Sequence, residues 1–214
     1  MSQALDYHTI YRRNLPHIQP PGATFFVTFR LANSLPVATL QRWREEAQAA
    51  ERESARLPEE ERREARYRQQ KRAFGRFDEA LDRAEFGPTW LNETAVAQLV
   101  YDALRRRDGA VYDLLAFTIM PNHVHAVLTP CERNEGVVAL QRILYDLKRP
   151  TAWDANSCLG RFGAFWQDES YDHYVRDAAE LSRIVYYVLW NPVKAGLVAS
   201  WEAWRWSYWK YAEG

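Results

Sequence analysis

His123-Val124-His125 and Tyr187-x-x-x-Asn191 are the residues whose types and spacing could do chemistry in this chain of 214 residues. Two imidazoles separated by one apolar residue, inside an apolar run, suit a β-strand. Side chains alternate faces there, so both rings leave on one side and Val124 enters the core. A ring pair on one face can hold one divalent metal, for which imidazole is a common ligand. A tyrosine and an asparagine four apart share one face of a helix. Brought together, these parts make a metal-assisted tyrosine nucleophile, able to cut a phosphodiester and keep the new end covalently attached.

The surrounding sequence says which elements must carry these groups. Phe25-Phe26-Val27-Thr28-Phe29-Arg30 is aromatic and β-branched, follows the Pro20-Pro21-Gly22 turn signal, and predicts a strand. From 37 to about 83, Arg, Glu, Gln and Ala dominate and predict solvated helices broken near Pro58, with charges cancelling in i, i+4 pairs. Asn92 is expected to cap a helix running to about Arg107, which Asp108-Gly109 ends. Residues 111–120 and 123–128 predict a hairpin turning at Pro121-Asn122. A helix is expected over about 137–153, with Leu140, Ile143, Leu144 and Leu147 on one face. An aromatic strand around Phe165-Trp166 follows, then a helix over 178–190 entered through Asp177 and ended by Asn191-Pro192.

Without the charged excursion, this order is a βαββαβ ferredoxin-like core, an α+β fold with an antiparallel sheet and one added C-terminal helix carrying the tyrosine. A single domain spanning 1–214 is expected, with 37–88 as a charged helical insertion and 197–214 as an aromatic tail. The tail's indoles are expected to pack rather than stand exposed.

Composition narrows the classes. A 47% hydrophobic and 14% aromatic chain is a folded protein. No apolar run approaches the roughly 20 residues that span a bilayer, and residues 1–13 lack a signal peptide's apolar stretch. Cys131 and Cys158 are too few for a disulfide framework or four-cysteine zinc site, so a cytoplasmic setting is expected. With 28 basic and 28 acidic residues, any nucleic-acid contact must come from a local basic surface. Arg12, Arg13, Lys148, Arg149 and Lys194 are the candidate phosphate contacts.

The phrase Phe117-Thr118-Ile119-Met120-Pro121-Asn122-His123-Val124-His125 resembles the histidine-hydrophobe-histidine motif of single-tyrosine transposases of the HUH superfamily. More narrowly, the chain resembles the REP-associated tyrosine transposases. Leu15-Pro16-His17 with Pro20-Pro21-Gly22-Ala23 is similar to that family's opening, Gly163-Ala-Phe-Trp-Gln to its fourth strand, and Trp206-Ser207-Tyr208 to its tail. Tyr187-Val-Leu-Trp-Asn191-Pro-Val-Lys-Ala-Gly-Leu is similar to its tyrosine helix. The resemblance implies cleavage and rejoining of single-stranded DNA near hairpins through a 5′-phosphotyrosine. His123 and His125 would bind the divalent metal, magnesium or manganese, Tyr187 would be the nucleophile, and Asn191 the third ligand. Single-stranded or hairpin DNA is the implied partner, the protein acting at the bacterial nucleoid as a monomer or homodimer and not at a membrane.

A phenol with a pKa of about 10 is a poor nucleophile at neutral pH, and a divalent ion offsets the charge that builds on the phosphate oxygens. Tyr186 points about 100° away from Tyr187 around the helix, so the offset to Asn191 selects Tyr187. His173 is a reserve ligand. Asn191 is also read as a helix-ending residue before Pro192. Two other activities fit the same residues: a repurposed hairpin-binding protein without turnover, and a phosphoesterase that uses water.

Overall fold

The computed structural model describes residues 10–12, 16–18, 20–133 and 136–212. The chain divides into two compact units, residues 1–32 with 90–214, and residues 33–89. Two short ladders lie in the first: β1 (Ile10–Arg12) with β2 (Pro16–Ile18), and, after the elements below, β6 (Glu132–Arg133) with β7 (Gly136–Val137). Its main sheet is built from β3 (Phe25–Arg30), β4 (Tyr112–Ile119), β5 (His123–Pro130), β8 (Tyr171–Tyr174) and β9 (Ser207–Trp209). The order is β8-β3-β5-β4-β9, and every neighbouring pair is antiparallel. The first four are the ferredoxin-like strands, and β9, from the aromatic tail, extends the β4 edge.

Strand alternation explains how helices dress this sheet. Phe25, Val27 and Phe29 of β3, with Val124, Ala126 and Leu128 of β5, share one buried cluster. That cluster includes Val96, Val100 and Leu104 of α3 (Thr94–Arg106) and Ile143, Leu144 and Leu147 of α4 (Leu140–Cys158). On the opposite face α5 (Ala178–Lys194) packs against β4 and β5.

The second unit holds α1 (Val37–Ser54) and α2 (Glu59–Asp82), with Pro58 between them as expected. They run antiparallel: Arg76 pairs with Glu46, Arg66 with Glu51, and Trp43 meets Phe77 edge-on. Three further exposed pairs are i, i+4, namely Arg42–Glu46, Arg68–Glu64 and Arg83–Glu79. The expected cancellation of charge is there, and such solvated pairs add little stability individually.

Four sequence expectations are corrected. Asn92 lies in a 3-10 turn, Trp90–Asn92, and α3 is instead capped by Glu93 without a side-chain bond. The strand placed at Phe165-Trp166 lies at Tyr171–Tyr174. Phe165 and Trp166 are both buried but make only an isolated bridge, Trp166 with Leu31, and the backbone there joins β3's end through Ala32 N–H donating to Phe165 O at 2.8 Å. The other two concern helix bounds. Helix α5 continues through Asn191 and Pro192 to Lys194, and α4 runs over Leu140–Cys158 rather than about 137–153, with Pro150 inside it.

Pro150 lacks the N–H that would bond the Asp146 carbonyl one turn back. Arg107, at the end of α3, donates its Nη2 to that carbonyl at 2.6 Å and satisfies it from outside. Replacing Arg107 by Met is expected to destabilise the protein by about 1–3 kcal/mol in denaturant unfolding. With Pro150→Ala also present, the helix supplies its own donor and the cost should largely vanish; an undiminished cost would mean that Arg107 acts through packing alone.

Candidate metal and tyrosine site

The face of the sheet beneath α5 is polar where the other face is apolar. In register across the strands run Tyr171, Thr28, His125, Thr118 and Ser207, one from each strand. Directly opposite residues of antiparallel strands project to the same side, so this is a polar row within a sheet. Two pairs in the row are bonded: Thr28 Oγ1 lies 2.7 Å from His125 Nδ1, and Ser207 donates to Thr118 Oγ1 at 3.0 Å. One register step on, His123 stands opposite Arg30.

Both histidines are buried, and both are held by Nδ1. Asn122 Oδ1 lies 2.7 Å from His123 Nδ1; an amide oxygen only accepts, so this nitrogen carries the proton and Nε2 is left as a lone pair. The hydroxyl of Thr28 can donate or accept, so His125 can present either tautomer without losing its partner. The two Nε2 atoms face each other at 2.9 Å. Ligand nitrogens at about 2.1 Å from one ion and at right angles to each other are about 3 Å apart, so this pair fits a single metal. Neither Asn122 nor Thr28 was singled out as a site residue from sequence. Asn122 adjoins the motif, but Thr28 is 97 residues from His125 and only strand pairing reveals it.

Helix α5 brings the phenol. The Tyr187 ring centroid lies 5.7 Å from that of His125 and 6.0 Å from that of Phe26, edge-on in both cases. One turn later Asn191 is 1% exposed, and among the described residues neither amide atom has a hydrogen-bond partner. Because α5 runs on to Lys194, Asn191 is not the helix-ending residue. An orphaned buried amide costs about 1–3 kcal/mol, which a bound cation accepting its oxygen would offset. The two imidazoles suit a divalent ion, and the Asn191 amide is a buried polar group on the helix that carries Tyr187.

The start of α5 is fixed to the sheet's edge. Asp177 accepts from Glu180 N–H at 2.7 Å, the cap expected from sequence. Glu180 is buried and accepts from His173 Nε2 of β8 at 3.2 Å, from Arg176 N–H at 3.0 Å and from the Arg176 guanidinium. His173, the reserve ligand, thus serves as an anchor for the helix. Burial alone would raise the Glu180 carboxyl, but the Arg176 hydrogen bonds and adjacent His173 outweigh it and hold the pKa at about 2.

Charged residues expected to meet DNA divide by environment. Lys148 directs its amine to Gln167 O, Asp168 O and Ser170 Oγ at 2.6, 2.8 and 3.1 Å, strapping the approach to β8. Arg149 is exposed beside Tyr145. Lys194 is exposed, with Nζ 5.7 Å from the Tyr187 ring centroid. Arg12 lies in β1, and Arg13 is outside the described residues. A cation not anticipated is Arg30, buried opposite His123; burial lowers its guanidinium to about 10, partly countered by the carboxylate of Glu169.

No family model matches the chain. Over 102 residues it is 24% identical to a protein of Haemophilus influenzae whose name places it among REP-associated tyrosine transposases, covering 45% of this chain and 58% of that one. The chain thus matches little more than half the length of that curated relative. It is also similar to a solved REP-associated tyrosine transposase bound to a REP hairpin, with a TM-score of 0.51 and 17% identity, over 92% of this chain and 80% of that one. At this identity the structural likeness concerns the fold. The resemblance read from the motifs is borne out, since both similar proteins carry the transposase name. Among the described residues no helix is long and apolar enough to cross a membrane.

Two outcomes follow from the supporting groups. Asn122→Ala should weaken manganese binding about 10- to 100-fold in titration calorimetry while leaving the fold intact, as loss of a ligand's orienting partner does. Glu180 has its pKa depressed from the ordinary 4.5 to about 2, so its stabilisation is complete above about 4.5 and fades as pH falls toward 2. Thermal midpoints of Glu180→Gln should accordingly be lower than those of the parent at neutral pH, with the gap closing on acidification.

Proposed function

We propose that the protein is a metal-dependent transposase that cleaves and rejoins single-stranded DNA next to hairpins, with Tyr187 as nucleophile. The observation that carries this reading is two Nε2 atoms 2.9 Å apart with a tyrosine ring 5.7 Å from His125; the same helix holds the buried Asn191 amide, without a hydrogen-bond partner among the described residues. The hairpin-bound similar structure and the transposase name of the curated relative support the substrate class.

His123, His125 and Asn191 would hold a divalent ion, magnesium or manganese, which when bound polarises the scissile phosphate and offsets its charge. The remaining chemistry belongs to the chain. Tyr187 Oη forms a bond to phosphorus, the bond from phosphorus to the 3′ oxygen breaks, and the phenolic proton is passed on while the leaving oxygen gains one. The product is a 5′-phosphotyrosine and a free 3′-hydroxyl. A 3′-hydroxyl then attacks the same phosphorus, expels Tyr187 and reseals the strand without an external energy source. Lys194, near the tyrosine ring, and the exposed Arg149 would be phosphate contacts; Arg12 and Arg13 remain candidates by sequence. Lys148 acts through the loop it straps.

Incubating the protein with a labelled hairpin oligonucleotide bearing single-stranded flanks, with manganese, should give a covalent adduct that survives denaturing electrophoresis. Tyr187→Phe should abolish it, and His123→Ala, His125→Ala or chelator should reduce it by at least about 100-fold. Cleaved ends free of protein, with full activity in Tyr187→Phe, would instead indicate hydrolysis by water.

A further inference from the structure

Beside Tyr187 on α5 lies a pair of rings that the proposed cleavage does not use. Tyr186 and Trp190, one helical turn apart, are stacked with centroids 4.9 Å apart and planes 14° from parallel. They are 58% and 37% exposed, so one preorganised aromatic surface faces solvent within a turn of the reactive phenol. Large apolar side chains kept at the surface in a fixed arrangement mark a recognition site more often than chance exposure does.

The exposed charges on the helix that carries the pair point to what it recognises. The exposed ionic side chains on α5 are Arg183 and Lys194, three residues before Tyr186 and four after Trp190, and both are cationic. The helix's one acid, Glu180, is buried and bonded to Arg176 and His173. Aromatic rings flanked by cations match an unpaired nucleotide, whose base offers a π-face and whose phosphate offers negative charge. A second copy of the same face would oppose like charges.

We propose that Tyr186 and Trp190 are a base-stacking platform for the single strand adjoining the scissile phosphate. This deepens the transposase reading and rests on it. Tyr186 and Tyr187 diverge by about 100° around the helix, so a strand seated on the platform passes over the turn from which Tyr187 points to the histidines. Lys194 follows Trp190 by one turn and has its amine near the Tyr187 ring, bridging the two surfaces. The platform thereby sets which phosphate reaches the phenol, favouring unpaired over duplex flanks.

The test uses the full chain carrying Tyr187→Phe, so that binding is read without cleavage, and a hairpin oligonucleotide with a single-stranded flank followed by fluorescence anisotropy. Trp190→Ala and Tyr186→Ala should each weaken binding about tenfold, with Trp190→Phe keeping most of it. Abasic sites through the flank keep its phosphates but remove its bases; they should weaken the parent equally, and Trp190→Ala should then cost nothing more. The abasic arm needs no second variant to fold. Equal affinity for abasic and intact flanks overturns the platform, as does a change of oligomeric state in the alanine variants with DNA binding unaltered, which would make this face a contact between copies. An adduct from the wild-type chain together with unimpaired binding by Trp190→Ala sinks the platform and leaves the cleavage chemistry standing. Impaired binding by the variants with no adduct under any divalent ion keeps the platform and sinks the chemistry.

Discussion

Successive side chains of a strand leave opposite faces of a sheet, and β5 uses that rule to separate an apolar core from a face that carries its two histidines. Val124, Ala126 and Leu128 belong to the cluster shared with α3 and α4. His123 and His125 leave the other way, toward α5. A shift of one residue in the register of β5 would exchange the two sets, burying imidazoles among leucines and presenting apolar groups to the tyrosine helix. The apolar core and the histidine pair therefore stabilise the same register. Unbroken pairing of His123 with Arg30 and His125 with Thr28 shows that register maintained through the motif.

Position alone does not make two histidines a ligand pair; each must also expose the correct nitrogen. Asn122 and Thr28 hold the two Nδ1 atoms, which leaves the Nε2 atoms directed at one another. The turn at Asn122 has its own support, because Asn122 O accepts from Leu31 N–H at 2.8 Å and Pro121 O from Leu91 N–H at 3.2 Å. The same residue thus shapes the turn with its backbone and orients a ring with its side chain.

Much of this arrangement was legible in the sequence because it depends on local pattern. The hairpin around Pro121-Asn122, the strand Phe25–Arg30, the two charged helices and the Asp177 cap all follow from alternation, composition or capping chemistry. What local pattern could not give was long-range compensation. The donor to the carbonyl that Pro150 leaves vacant is Arg107, far away in sequence. Pro192 predicted the end of α5, yet the helix continues and turns Asn191 from a terminating residue into a buried amide. Phe165-Trp166 has a strand's composition but the burial of a core plug, with Phe165 stacked on Trp90 at 5.6 Å. At the candidate site, the sequence singled out two histidines and a tyrosine whose rings the fold brings together; Thr28, Arg30 and Glu180 were not singled out, since their roles depend on what strand pairing or helix docking sets opposite them.

Helix α5 is moored at both borders of the sheet. Its first turn is tied through Glu180 to His173 on the β8 border, and the chain leaving its last turn returns as β9 to close the β4 border. Between these moorings Trp204 adds a bond from its indole N–H to Ile119 O at 3.0 Å. A helix fastened in this way cannot slide along the sheet without breaking bonds at either border. Within this chain the distance between phenol and imidazole rings is consequently held by bonds at the sheet's rims rather than by the helix's own packing alone.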